Sequence, residues 1–95
     1  MTRPKNHRCV SFSPNIIFFK PKGVPLHDLD EVCLLPDEVE ALKLHDVDGL
    51  EQIAAAQKMN ISQPTFGRIL NTAYKKIANA IITGKAIRIE KADES

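Results

Sequence analysis

Between Leu50 and Ala80 two helix-period patterns meet at Met59-Asn60-Ile61, and a joint that short forces the two helices to cross closely. Such a crossing makes definite demands. A small residue must stand in the first helix where the second packs nearest, and Ala56 does. The turn needs a residue that tolerates positive φ. After glycine, asparagine suffers the smallest steric penalty there, and Asn60 occupies the place. Apolar side chains must face a shared core, and Ala55, Met59, Ile61, Phe66 and Ile69 fall where they are needed. A hydroxyl should cap the second helix, and Ser62 supplies it. All these demands are met in one register, which predicts a helix-turn-helix. Its first helix covers Leu50 to Lys58, with Leu50, Ile53, Ala54 and Ala56 inward. Its second runs long, through Phe66, Leu70, Ala73, Ile77 and Ala80, to an end near Thr83-Gly84.

The flanking segments complete the pattern. Pro36 suits a first helical turn, and Asp37 and Glu38 suit its positive end, so a helix is expected from Pro36 to about Asp46. Asp48-Gly49 breaks it, and Asp48 with Glu51 then reads as a capping box for the next helix. Cys9 to Phe12 and Ile16 to Lys20 read as short strands around the turn Ser13-Pro14-Asn15, the run Ile16-Ile17-Phe18-Phe19 as a buried one. Lys20 to Pro25 is a loop, and Leu26 to Leu34 reads as a brief helical turn leading into Pro36. Ala86 to Glu90 alternates like a strand with one wet face, able to pair with the N-terminal strands. The tail Ala92-Asp93-Glu94-Ser95 is expected to be disordered. The predicted fold is therefore mostly α with short strands: a three-helix core containing the helix-turn-helix, plus a small β element from the two chain ends. Residues 1–34 form a basic arm with strands and loop, 35–83 the helical domain, and 84–95 the closing strand and tail.

The formal net charge of +1 hides an uneven distribution. Up to Lys22 the chain carries Arg3, Lys5, Arg8, Lys20 and Lys22 and no acid. From Asp28 to Glu51 acids dominate, opposed only by Lys43. From Gln52 to Ile89 the charges are Lys58, Arg68, Lys75, Lys76, Lys85 and Arg88, all basic. Sign asymmetry of this kind serves a polyanionic partner, or else leaves solvated faces. No apolar run approaches the roughly 20 residues of a membrane span. No secretory signal is evident. A cytoplasmic protein is expected, with Cys9 and Cys33 unbridged.

A helix-turn-helix that docks in the usual way lays its second helix in the major groove of double-stranded DNA, first turns against the base edges. The outward positions are then Gln63, Pro64, Gly67, Arg68 and Asn71. Arg68 suits guanine, and Gln63 or Asn71 suits adenine. Ser62 and Thr65 are positioned to meet a phosphate at the helix N-terminus. Lys75 and Lys76 extend the helix toward flanking phosphates. Gly67 gives up a contact and weakens the helix.

These residues also carry a resemblance. The segments 19–26, 35–44 (Leu-Pro-Asp-Glu-Val-Glu-Ala-Leu-Lys-Leu), 61–71 (Ile-Ser-Gln-Pro-Thr-Phe-Gly-Arg-Ile-Leu-Asn) and 84–89 resemble a family of small prokaryotic predicted DNA-binding proteins, the domain-of-unknown-function group one-three-four. The helical part is similar to region four of sigma factors, which reads promoter DNA. The resemblance covers nearly the whole chain and implies a sigma-region-four-like helix-turn-helix with a role in transcription regulation. The chain departs from the family pattern at Asn60, Gln63-Pro64, Gly67 and Tyr74.

Other groupings point less far. Asp37, Glu38 and Glu40 lack a partner base, nucleophile or phosphate loop, so no enzyme is expected. His7, Cys9, His27, Cys33 and His45 match no compact zinc spacing, so no metal and no cofactor is expected. The apolar strand Ile16 to Phe19 raises the alternative of a sheet shared between two chains, which would make a homodimer suited to a palindromic site. The competing function is a protein-interaction module that docks on transcription machinery through the acidic helix Pro36 to Asp46.

Overall fold

The computed structural model describes residues 16–90. Along the chain lie β1 (Ile16–Phe19), β2 (Glu31–Leu34), α1 (Pro36–Leu42), α2 (Gln52–Met59), α3 (Gln63–Thr83) and β3 (Ala86–Glu90). A 3-10 turn, Leu26–Asp28, precedes β2, and a π-helical turn, Lys43–Val47, prolongs α1. The mostly α fold with a small sheet is as expected. The strand expected at Cys9 to Phe12 and the C-terminal tail fall outside the described residues.

The sheet order is β1-β3-β2. β3 runs antiparallel to β1, with Phe19 opposite Ile87, and parallel to β2, with Leu34 opposite Ile89. Three expectations change here. Glu31–Leu34 is a strand, and only Leu26–Asp28 turns; the helical spacing of the apolar residues is overridden because β3 offers a parallel partner. β3 has no exposed residue, although its alternation predicted a wet face. It is flanked on both sides, and the Arg88 guanidinium sits 5.8 Å from the centroid of the Phe18 ring. β1, finally, is not buried: Ile17, Phe18 and Phe19 are exposed, Phe19 at 59%. It lies at the edge of the described sheet, where packing covers less of a side chain.

A fourth correction concerns sulfur. Cys33 on β2 is disulfide-bonded, against the expectation of an unbridged thiol. Separation along the chain carries no signal for such a bridge, because only the tertiary fold decides which sulfurs meet.

In the helical part, the Leu35 N–H donates to Glu38 Oε1 at 2.9 Å, which satisfies one free donor at the start of α1. The π-helical turn ends in a left-handed residue, Gly49 (φ 81°), and the Leu50 N–H donates back to the Leu44 carbonyl at 3.0 Å. That closure uses Asp48 as the end of the first helix, with its carboxylate 2.9 Å from Lys43 Nζ. Asp48 is therefore not the cap of α2, as the sequence predicted; Glu51 holds that position and α2 starts at Gln52. α2 buries Ala55 and Ala56, while Ile53, expected inward, is 55% exposed.

The core gathers on Phe66, which is fully buried among Ala41, Leu44, Ala55, Ala56 and Leu70. Three of these neighbours are alanines, so α1 and α2 approach the ring with little side chain between. Burying such a side chain is worth roughly 3 kcal/mol at most. His45 meets Phe66 edge-on at 6.4 Å. Its Nδ1 lies 2.8 Å from the Leu50 carbonyl, an acceptor only, so Nδ1 carries the proton.

Candidate nucleic-acid interface

The turn between α2 and α3 is built as its sequence predicts. Asn60 adopts the left-handed conformation (φ 63°), the only described non-glycine residue with positive φ. This reverses the chain so that the Ile61 N–H donates to the Ala56 carbonyl at 3.0 Å. The small Ala56 thus serves twice, as a packing surface and as the acceptor that locks the turn. Ser62 caps α3: its Oγ accepts from the Thr65 N–H at 3.3 Å and donates to Thr65 Oγ1 at 2.9 Å. The Thr65 hydroxyl proton is left available to a further acceptor.

α3 is 21 residues long and strongly two-sided. Phe66, Leu70, Ala73 and Ala80 are buried along one side. At helical spacing the opposite side carries Pro64, Arg68, Asn71 and Lys75, all exposed. Gln63 is exposed at the first position, and Gly67 is half-buried beside it. The side chains of Gln63, Arg68, Asn71 and Lys75 make no hydrogen bond or ion pair with a described residue. A row of free donors at the capped end of a helix has the chemistry for phosphates and base edges.

Lys76 behaves differently from its neighbour. Its Nζ donates to Glu38 Oε1 and to the Cys33 carbonyl, both at 2.8 Å. The Glu38 side chain is 7% exposed and that of Lys76 28%. Lys76, expected to meet a flanking phosphate, is committed to the interior, because a carboxylate held at the start of α1 needs a cation. The same pair removes Glu38 from the acidic surface of α1. Asp46 is also engaged: its two carboxylate oxygens accept from the Tyr74 hydroxyl at 2.7 and 3.0 Å. Partial desolvation, with the adjacent carboxylate, pushes the Tyr74 phenol up to about 12. The sequence marks Tyr74 only as a departure from the family pattern, because its partner Asp46 lies 28 residues earlier, beyond the reach of any local pattern.

Of the residues weighed as metal ligands, Cys33 is disulfide-bonded and His45 is held by the Leu50 carbonyl. His7 and Cys9 lie outside the described residues. No helix among the described residues is long and apolar enough to cross a membrane.

The family model described as "Protein of unknown function DUF134" matches residues 1–94. The chain belongs to the DUF134 family. It is 51% identical over 90 residues to a UPF0251 protein of Thermoanaerobacter pseudethanolicus, covering 95% of this chain and 76% of that protein. It is 53% identical to a UPF0251 protein of Desulforudis audaxviator, covering 95% of this chain and 59% of the relative. A UPF0251 protein of Moorella thermoacetica is 51% identical, with 60% of its length covered. The chain thus spans only about three fifths of the length of some DUF134 relatives it matches. No solved structure matches it.

Proposed function

We propose that this chain binds duplex DNA, laying the first half of α3 in the major groove, and regulates transcription. The observation that carries the reading is the exposed face Arg68, Asn71 and Lys75, whose side chains have no partner among the described residues and which is continuous with the Ser62-capped helix end. In this reading Arg68 pairs bidentately with guanine, and Gln63 or Asn71 takes adenine. Thr65 offers its hydroxyl proton to a phosphate at the positive end of the helix dipole. Lys75 neutralises a flanking phosphate without reading sequence. Lys76 takes no part. The reading implies a cytoplasmic protein.

Two free cations make a sparse contact for one domain, so we further propose that two copies act together. Phe19, Ile81 and Ile82 are 59, 68 and 81% exposed, near the edge strand and the end of α3. A second chain over this patch would cover apolar surface and present two reading helices. Light scattering at micromolar concentration should then return twice the chain's 10.6 kDa.

The competing reading, a protein-docking module acting through α1, loses support from the burial of Glu38 and the engagement of Asp46. The test is binding of the full chain to a random duplex pool at low salt, followed by variants. Arg68→Ala should weaken binding to the selected site about tenfold and relax one guanine position. Lys75→Ala should weaken all duplexes alike and flatten the salt dependence. No retained duplex, or indifference to both changes, ends the DNA reading.

A further inference from the structure

Residues four apart on a helix stand in one ridge, so Gln63, Gly67 and Asn71 share a row on α3. The middle of that row has no side chain of its own and is half-buried. The nearest atom to where a Gly67 Cβ would stand is Gln52 Oε1, 3.6 Å away. Gln52 is the first residue of α2. It is half-buried, and its side chain hydrogen-bonds to no described residue. Its amide oxygen and nitrogen keep solvent contact and have no partner among the described residues, so a ligand can take the place of water on them. The ridge therefore displays three carboxamides in sequence: Gln63, the Gln52 amide lying over Gly67, and Asn71.

We propose that Gln52 is a specificity-determining residue for duplex DNA, which reads an adenine edge in the major groove through the notch that Gly67 leaves. This rests on the DNA reading above and deepens it. A carboxamide donates to adenine N7 and accepts from its N6 amino group, so one planar amide recognises one A·T pair bidentately. Gly67 thereby gains a reason: a Cβ would fit at 3.6 Å, but a side chain reaching beyond it would compete with the amide for the notch. The reading surface is shared between α2 and α3, and the step beside the guanine of Arg68 should prefer A·T.

The experiment uses the full chain and the sequence it selects from a random duplex pool. Affinities for duplexes bearing each base pair at each site position are compared for wild type, Gln52→Ala, Gln52→Glu and Arg68→Ala, with thermal melts confirming that each is folded. Gln52→Ala should lose about tenfold preference for A·T at one position and leave the others intact. Gln52→Glu should move that same position toward cytosine, whose amino group donates to a carboxylate. If Arg68→Ala relaxes its guanine but Gln52→Ala weakens every duplex equally, or none, the DNA reading stands and Gln52 is only packing. If wild type retains no duplex, or Arg68→Ala changes nothing, the DNA reading falls and this proposal with it.

Discussion

From Ser62 to Ala73, α3 packs Phe66 and Leu70 against α1 and α2 and leaves the side chains of Gln63, Arg68 and Asn71 without a partner among the described residues. From Tyr74 to Thr83 the same helix is tied down: Tyr74 bonds Asp46, Lys76 bonds Glu38 and the backbone of β2, and Ala80 and Ile81 border a groove of about 420 Å³ with Phe19 and Ile87. Lys75 and Lys76 mark the boundary. They are adjacent and chemically identical, yet one is exposed and the other closes a buried ion pair. The difference teaches that long-range bonds can fix one half of a helix while the other half keeps its side chains exposed. The anchors come from 28 to 43 residues away, and they hold the free half in place without spending its donors.

The largest effect should come from loosening the anchor. Lys76→Met strands the Glu38 carboxylate, 5% exposed as a residue, and should cost about 3 kcal/mol, the low end for a broken buried pair because Lys76 keeps some solvent contact. Lys75→Met should stay within about 0.5 kcal/mol. Urea unfolding of both variants decides; equal losses would erase the distinction between the halves. Next comes the free half itself. A Gly67 Cβ would meet Gln52 at ordinary contact distance, so Gly67→Ala should raise stability by about 1 kcal/mol through helix propensity, seen as a higher Tm. A lower Tm would show that the notch is tighter than its 3.6 Å contact implies.

The smallest effect is a pH dependence confined to the anchored half. The Tyr74 phenol is raised from 10.0 to about 12 in the folded chain, so folding favours its protonated form. That contribution is complete below pH 10 and is lost as pH rises through about 12. Tyr74 is 41% exposed, and screening keeps the gain under about 1 kcal/mol. Tyr74→Phe should remove this alkaline step from stability measured against pH. An unchanged step would assign it to another group.

Much of the architecture was legible in the residues. Asn60, Ser62 and Gly84 carry out the turn, cap and stop that their chemistry favours, because each acts on backbone within a few positions of itself. β3 and its pairing with β1 were readable from alternation at the chain ends. β2 was not, because Leu26 to Leu34 has helical spacing and becomes a strand only beside β3. The start of α2 was misread because Asp48 had two local roles open to it, and the Gly49 closure took one. Among the candidate site residues, Arg68, Asn71 and Lys75 fall on the exposed face their spacing implied, while the fate of Lys76 was invisible.

The sequence by itself determined the helix-turn-helix register and which side of α3 faces out, since 3.6-residue periodicity and short-range hydrogen bonds are written locally. Only the tertiary structure decided that Cys33 is bridged, that Lys76 is paired with Glu38, and that the Gln52 amide lies beside Gly67. Each of those depends on two groups far apart in the chain meeting within a few ångströms, and no local pattern of residues encodes such a meeting.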